Sequence, residues 1–344
     1  MVIIRPVAET DLDALAELAD MADFGLTSLP KDRDLLAIRI ADSLRAFQIA
    51  PRAPGGELYI FVMEDPEAGK VVGTSCIVSK VGGFQPFYAY RIENVVHESM
   101  TLGVRKEVSI LHLVTEHSGP CEIGGLFLVP EYRKHGNGRL LSLFRFLFMA
   151  LRRERFEPLI IAEMRGVVDE NGRSPFWEAL GRRFFDMDFP KADYLSVKDK
   201  RFIAELMPKC PIYISLLPEE AQGVIGKVHP DTRPALKMLE DEGFRFSGMV
   251  DIFEAGPIVV ARPHEIRIVK ESRFAAAREI TREDIQSERF LITNTAHDFR
   301  ACMGCLEALS DGEIRIRTRV ADALHVREGD QVCYAPLSPK KEPG

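Results

Sequence analysis

Residues 133–138, Arg133-Lys134-His135-Gly136-Asn137-Gly138, place two cations and a histidine beside two closely spaced glycines. Glycine lets backbone N–H groups approach a ligand with no Cβ in the way. An apolar run over 123–129 precedes the segment, reads as a strand and is stopped by Pro130. A long apolar helix, Arg139 to about Arg153, follows it. The start of a helix exposes unpaired N–H donors and a partial positive charge. Strand, glycine turn and helix start therefore suit a pyrophosphate, to which Arg133 and Lys134 add full positive charge. A Walker loop requires Gly-x-x-x-x-Gly-Lys-Ser/Thr, which the chain lacks. A dinucleotide fingerprint requires a third glycine three residues after Gly138, where Leu141 stands. The other reading of 133–138 is a plain glycine turn joining strand to helix.

Cys302-x-x-Cys305 invites a metal or redox reading, but no second such pair and no suitably spaced histidine accompany it. Residues i and i+3 of a strand point to opposite faces, so no metal is expected there. The six cysteines (Cys76, Cys121, Cys210, Cys302, Cys305, Cys333) are scattered over a long chain. That distribution suits reduced thiols in a cytoplasm better than a disulfide framework.

These groups need a scaffold, and the composition supplies one. The 344 residues are 46% hydrophobic and 28% charged, with a formal net charge of -7. This is a soluble globular profile, and it excludes a largely disordered or collagenous chain. No clustered basic face marks a nucleic-acid partner. No apolar run reaches the roughly 18 residues of a membrane span. The most apolar stretch, 140–151, is broken by Ser142 and Arg145. The opening residues lack the charged and apolar regions of a signal peptide, so a cytoplasmic location is expected.

Along the chain, 2–4 reads as a short strand. Thr10 is the expected cap of a helix carrying Leu12, Leu15, Ala16, Leu18 and Ala19. A second helix carries Leu35, Leu36, Ile38, Ile40 and Leu44. Strands are predicted at 58–63 and 71–78, joined as a hairpin, and at 107–114. After the 139–153 helix comes a strand over 159–164. Residues 165–230 are polar and turn-rich, with short helices; Ser174-Pro175 caps one and Pro218 starts another. A helix over 231–242 ends at Gly243, followed by strands at 244–253 and 257–261. Beyond Pro263 the chain reads as a small β-rich unit with strands at 290–293, 299–306, 313–317 and 331–334. Asp311-Gly312 is a turn there, and 339–344 an expected frayed tail.

Set in this order of strands and helices, Arg133-x-x-Gly136-x-Gly138 resembles the acyl-CoA pyrophosphate loop of the Gcn5-related N-acetyltransferases. A narrower match lies in strings that occur in one order: 25–30 (GLTSLP), 162–166 (AEMRG), 174–177 (SPFW), 204–208 (AELMP), 228–230 (VHP) and 251–253 (DIF). This set resembles the bacterial arginine N-succinyltransferase family, over essentially the whole chain. The resemblance implies an α/β (α+β) fold. Its core is a Gcn5-related N-acetyltransferase-like mixed sheet flanked by helices, with an insertion and a small C-terminal β-rich domain. Residues 1–262 would be the acyl-CoA N-acyltransferase domain, with the insertion at about 165–230, and 263–344 the β-rich domain. It implies transfer of a succinyl group from succinyl-CoA, a co-substrate rather than a bound cofactor, to the α-amino group of L-arginine in arginine catabolism. Ornithine is an alternative acceptor. An acyl-CoA-binding subunit of a paired heteromeric enzyme is an alternative role, and a homo-oligomer or a pair with a homologous subunit is the expected assembly.

The resemblance also implies site residues. A CoA contact falls on Leu126, through the main chain, and the loop contacts fall on Arg133, Gly136 and Gly138. The general acid falls on His229; by itself a histidine before proline is also an ordinary loop residue. Acyl transfer to an amine wants a group that titrates near neutrality, which histidine supplies. Glu163 and Arg165 alternate at the end of a strand, so they share a face. They would bind substrate, because a guanidinium pairs with a carboxylate and a succinyl carboxylate with an arginine. Their other reading is a structural ion pair. Asp251 and Glu122 are weaker candidates for the same work, and no metal is required.

Overall fold

The computed structural model describes residues 1–22, 28–49, 51–310 and 312–339, apart from the side chain of Ser310. Half of the 25–30 string, Asp311 of the expected turn and nearly all of the expected tail lie outside the described residues. The elements run β1 (Ile3–Pro6), α1 (Leu12–Met21), α2 (Arg33–Gln48), β2 (Leu58–Asp65), β3 (Lys70–Val78), β4 (Phe87–Ser99), β5 (Val104–Glu116), β6 (Cys121–Leu128), α3 (Asn137–Leu151) and β7 (Ile160–Glu163). The insertion follows: α4 (Pro175–Ala179), α5 (Gly181–Phe185), α6 (Phe189–Lys198), α7 (Arg201–Leu206), β8 (Ile212–Tyr213) and α8 (Glu219–Val224). Then come α9 (Arg233–Asp241), β9 (Arg245–Val250), β10 (Pro257–Ala261), α10 (Arg267–Lys270), β11 (Arg273–Thr281), β12 (Phe290–Asn294), β13 (Ala301–Gly304), β14 (Leu306–Ser310), β15 (Glu313–Arg317), α11 (Thr318–Leu324) and β16 (Gln331–Pro336).

These strands join in one mixed sheet, ordered β14-β15-β11-β16-β12-β13-β1-β2-β3-β6-β7-β10-β9-β4-β5-β8. Among the described residues only the β6–β7 and β11–β15 pairs are parallel. The α/β architecture is the one expected. β1 links the two ends, pairing with β2 on one side and β13 on the other. The C-terminal unit thus continues the sheet and shares its core. Phe299 is 1% exposed and stacks edge-on against Phe61 and Phe148, and at a tilt against Phe144 of α3. Such aromatic contacts add about 0.5–1.5 kcal/mol each beyond area burial. α3 is sealed on all sides: every residue from Leu140 to Met149 is buried.

Several expectations change. Thr10 is not the cap; the Asp11 carboxylate accepts the Ala8 N–H and pairs with Arg5, because a carboxylate there also neutralises a neighbouring guanidinium. β4 carries no signal in the sequence, since beyond Tyr90 its faces are mostly solvated and no alternation develops. The C-terminal unit also holds α11, whose Val320, Ala321 and Leu324 are buried against the sheet. The insertion builds its own core around Phe176 and Trp177, roofed onto Tyr90 and Leu111.

Candidate active site

β6 and β7 pair only at Cys121↔Ile160 and Glu122↔Ile161. Beyond Glu122 the β7-facing edge of β6 has no strand partner among the described residues, so the sheet opens into a cleft. β6 also bulges against β3 around Gly125, whose φ of 60° is a left-handed value that favours glycine. A Cβ at Gly125 would sit 2.9 Å from Cys76 Sγ. Leu126 follows the bulge, half-buried, with its main chain on the opened stretch. Arg145 fastens α3 to this stretch. It is 2% exposed, donates to Ser142 O and Oγ and reaches Gly124 O at 3.3 Å. Burial without a carboxylate partner lowers its pKa to about 10.

The cleft leads to the loop at 133–138. Gly136, at φ 88°, is the residue from which α3 starts, and no side chain caps the helix. First-turn N–H groups are therefore left for a ligand. Arg133 donates from Nε to Leu128 O at 2.8 Å and lies over the Phe127 ring, so it ties the loop to the strand end. Arg289 of the C-terminal unit donates to His135 O at 2.7 Å, and Met303 and Leu337 pack behind Gly136. Sequence reasoning missed this buttress, which involves residues some 150 positions apart and carries no local signal.

Three chain segments meet at the other end of the cleft. The His229 N–H donates to Arg165 O at 2.8 Å, and the Gly226 N–H to Ala255 O at 2.9 Å. The Gly166 N–H donates to Glu254 Oε1 at 2.6 Å. Gly166 and Gly256 permit this approach: a Cβ on Gly256 would lie 2.0 Å from Met164 O, and one on Gly166 2.5 Å from Glu254 O. His229 Nδ1 accepts the Asp231 N–H at 3.3 Å and stands 3.8 Å from Asp231 Oδ2. With Nδ1 accepting, the neutral ring carries its proton on Nε2, the tautomer that donates. The side chain is 16% exposed, within reach of a substrate.

Around this junction lie carboxylates from four parts of the chain: Glu122 on β6, Glu163 at the end of β7, Asp193 on α6, and Asp251 and Glu254 in the β9–β10 turn. Arg39 faces Glu122; Lys200 faces Glu122, Glu163 and Asp251; Arg165 faces Asp193 and Glu254. Glu163 is solvent-accessible, yet desolvation is the main cause holding its carboxyl well above the usual range, with Glu122, Asp251 and Glu254 adding repulsion. Together these properties describe the floor of a cleft. Desolvation is also the main cause raising Asp193 to about 7 and Glu254 to about 8. Arg165 lies just past the end of β7, and no ion pair joins it to Glu163 among the described residues. The structure thus gathers Glu163, Arg165 and His229 at one end of the cleft, and Leu126 and the 133–138 loop along it. The sequence reading had Glu122 and Asp251 as weaker candidates and missed Asp193 and Glu254, which reach the cleft only through the insertion and the turn.

A pH dependence follows. Asp193 and Glu254 hold protons in the folded protein that the unfolded chain, at ordinary carboxyl pKa values, has released. The folded state binds more protons between about pH 4 and 8, so stability falls as pH rises through that window. Asp193→Asn removes one of these groups and flattens the fall. Thermal midpoints measured from pH 5 to 8 check this, and a midpoint in the wild type that does not fall over that range overturns it.

Among the described residues no helix is long and apolar enough to cross a membrane, and no His/Cys/Asp/Glu group is arranged to hold a metal ion. Cys302 is buried, and burial holds its thiol up at about 12, far from a reactive thiolate.

The family model described as arginine N-succinyltransferase beta subunit matches residues 2–268, and a second model, for the C-terminal domain of the same beta subunit, matches 273–336. Arginine N-succinyltransferase of Yersinia pestis (strain Pestoides F) is 45% identical over 340 residues, 96% of this chain and 97% of that protein. The Escherichia coli O127:H6 protein of the same name is 43% identical over 335 residues, 96% of each. The solved structure of arginine/ornithine succinyltransferase subunit AI from Pseudomonas aeruginosa superposes with a TM-score of 0.90. It has 34% identity over 98% of this chain and 99% of that one.

Proposed function

The chain belongs to the arginine N-succinyltransferase family, and from that premise we propose that succinyl-CoA is its acyl donor and that His229 carries the proton transfer. It is an acyltransferase that acylates arginine from a CoA thioester. The observation that carries the residue assignments is the opened β6–β7 edge, with the uncapped helix start at one end and the His229–Arg165 junction at the other.

The CoA pyrophosphate rests on Gly136, Gly138 and the α3 N-terminus, with Arg133 alongside. The pantetheine runs along the main chain at Leu126. Arginine, having lost its α-ammonium proton to solvent, attacks the thioester carbonyl. An N–C bond forms and the C–S bond breaks. As the tetrahedral intermediate collapses, its nitrogen gives up a second proton to solvent and the departing sulfur takes one from Nε2 of the His229 imidazolium, so CoA leaves as the thiol and the imidazole regains its proton from solvent. Arg165 pairs with the succinyl carboxylate, and Glu163 pairs with the α-ammonium of arginine before that proton is lost. Residues 1–262 carry the chemistry, and 263–344 form a β-rich buttress behind the loop. The free cysteines fit a cytoplasmic location. The exposed Val96, Met100, Leu102 and Val104 at the β4–β5 tip fit assembly with a second copy or a homologous subunit.

Release of thiol from succinyl-CoA and acetyl-CoA, measured against arginine and ornithine with mass detection of the product, tests this reading. Succinyl-CoA with arginine is expected to have the highest kcat/KM. Acetyl-CoA, which leaves the cation that would bind the succinyl carboxylate unpaired, is expected to fall by about 10²-fold or more. Equal kcat/KM for the two donors overturns the donor assignment, and a preference for ornithine overturns the acceptor.

A further inference from the structure

The reading of arginine as acceptor leaves open which groups hold its side chain. At the insertion end of the cleft, the Asp251 carboxylate is pinned through Oδ1 by the N–H groups of Phe253 at 2.7 Å and Glu254 at 2.8 Å. The Glu254 carboxylate is pinned through Oε1 by Gly166. Each is thus oriented by the main chain with its second oxygen pointed elsewhere. Glu254 is 7% exposed, and its Oε2 has no hydrogen-bond partner. A buried acceptor left unmade costs about 1–3 kcal/mol, more for a charged group, so its presence calls for an occupant. Arg165 does not fill that place: its own Nε is buried without a partner, and it forms no ion pair with Glu254 or Asp193 among the described residues. Asp193, on α6 of the insertion, lies near enough to Asp251 to be repelled by it and near enough to Arg165 to be attracted. Were all five of Glu122, Glu163, Asp193, Asp251 and Glu254 ionised, they would outnumber Arg39, Lys200 and Arg165 beside them, so a bound guanidinium would favour their ionised forms.

Resting on that reading, we propose that Asp193, Asp251 and Glu254 form the pocket for the guanidinium of the arginine substrate, with Glu254 Oε2 as its buried acceptor. A guanidinium is planar, presents five donors in a fixed fork and is weakly hydrated for a cation, which matches two rigid carboxylates and a third supplied by α6. The pocket is closed by a residue of the insertion, so the insertion sets acceptor specificity.

The test compares arginine with citrulline, its neutral near-isostere, in E254Q, D193N and wild-type protein. Glutamine keeps an acceptor for the Gly166 N–H, and the Asp193 carboxyl makes no hydrogen bond among the described residues, so D193N remains informative if E254Q does not fold. Each variant is expected to lose about 10–100-fold in kcat/KM for arginine, the worth of one charge-assisted hydrogen bond. The values for citrulline should change little, so the arginine-to-citrulline ratio collapses while KM for succinyl-CoA holds. An unchanged ratio in active variants overturns the pocket and leaves the acceptor assignment standing. Wild-type protein that releases thiol with another amine but not with arginine overturns the acceptor assignment itself.

Discussion

Replacing His229 with alanine lowers kcat by about 10²–10⁴-fold, the usual worth of a positioned general acid or base. The proton it supplies goes to a sulfur that leaves as CoA, so the loss falls on turnover. KM for succinyl-CoA changes little, because the donor is held at Leu126 and along the 133–138 loop. The limb of the pH–rate profile near neutrality disappears with the imidazole. A purely structural histidine predicts a different outcome. Its Nδ1 caps the short turn that leads into α9, so its loss would lower stability by about 0.5–2 kcal/mol while the folded molecules turned over normally. Activity per folded molecule, followed across pH, separates the two. Full activity with an unchanged profile removes His229 from the mechanism.

Gly138→Val raises KM for the acyl-CoA by about 10–100-fold, equivalent to one or two lost charge-assisted hydrogen bonds to the pyrophosphate. A Cβ at Gly138 meets nothing within 4 Å, and this glycine does not have a positive φ. The chain itself would accept a side chain there, so any requirement for glycine comes from a ligand that the protein must admit. Gly136 differs: its φ of 88° demands glycine for the turn, and Leu337 and Met303 crowd it from behind. The Gly138 variant therefore keeps its thermal midpoint while donor affinity drops, and kcat at saturating donor survives. Unaltered CoA affinity in a well-folded variant would refute the loop assignment.

Arg133 to Gly138 was legible as a candidate anion loop because everything it needs is local: a strand end, two glycines and a helix start within a few residues. The α/β order, the Ser174 cap and the Gly243 stop were readable for the same reason. Glu163 and Arg165 were found through period-2 spacing, although β7 ends at Glu163 and Arg165 reaches the site from beyond it. β4 escaped notice because its outer half faces solvent and shows no alternation.

The sequence by itself determined which short segments become strands, helices and turns, since those depend on neighbours a few residues apart. Only the tertiary structure decided the sites that distant segments build together. The β6–β7 cleft exists because β7, paired with β10 along its whole length, keeps β6 as a partner for only two residue pairs, which no local pattern encodes. The carboxylates of β6, β7, α6 and the β9–β10 turn converge only where Gly166 and Gly256 let two backbones close to a distance any Cβ would forbid. Desolvation in that shared cleft, with the repulsion of neighbouring carboxylates added, raises the pKa of Glu163, Asp193 and Glu254.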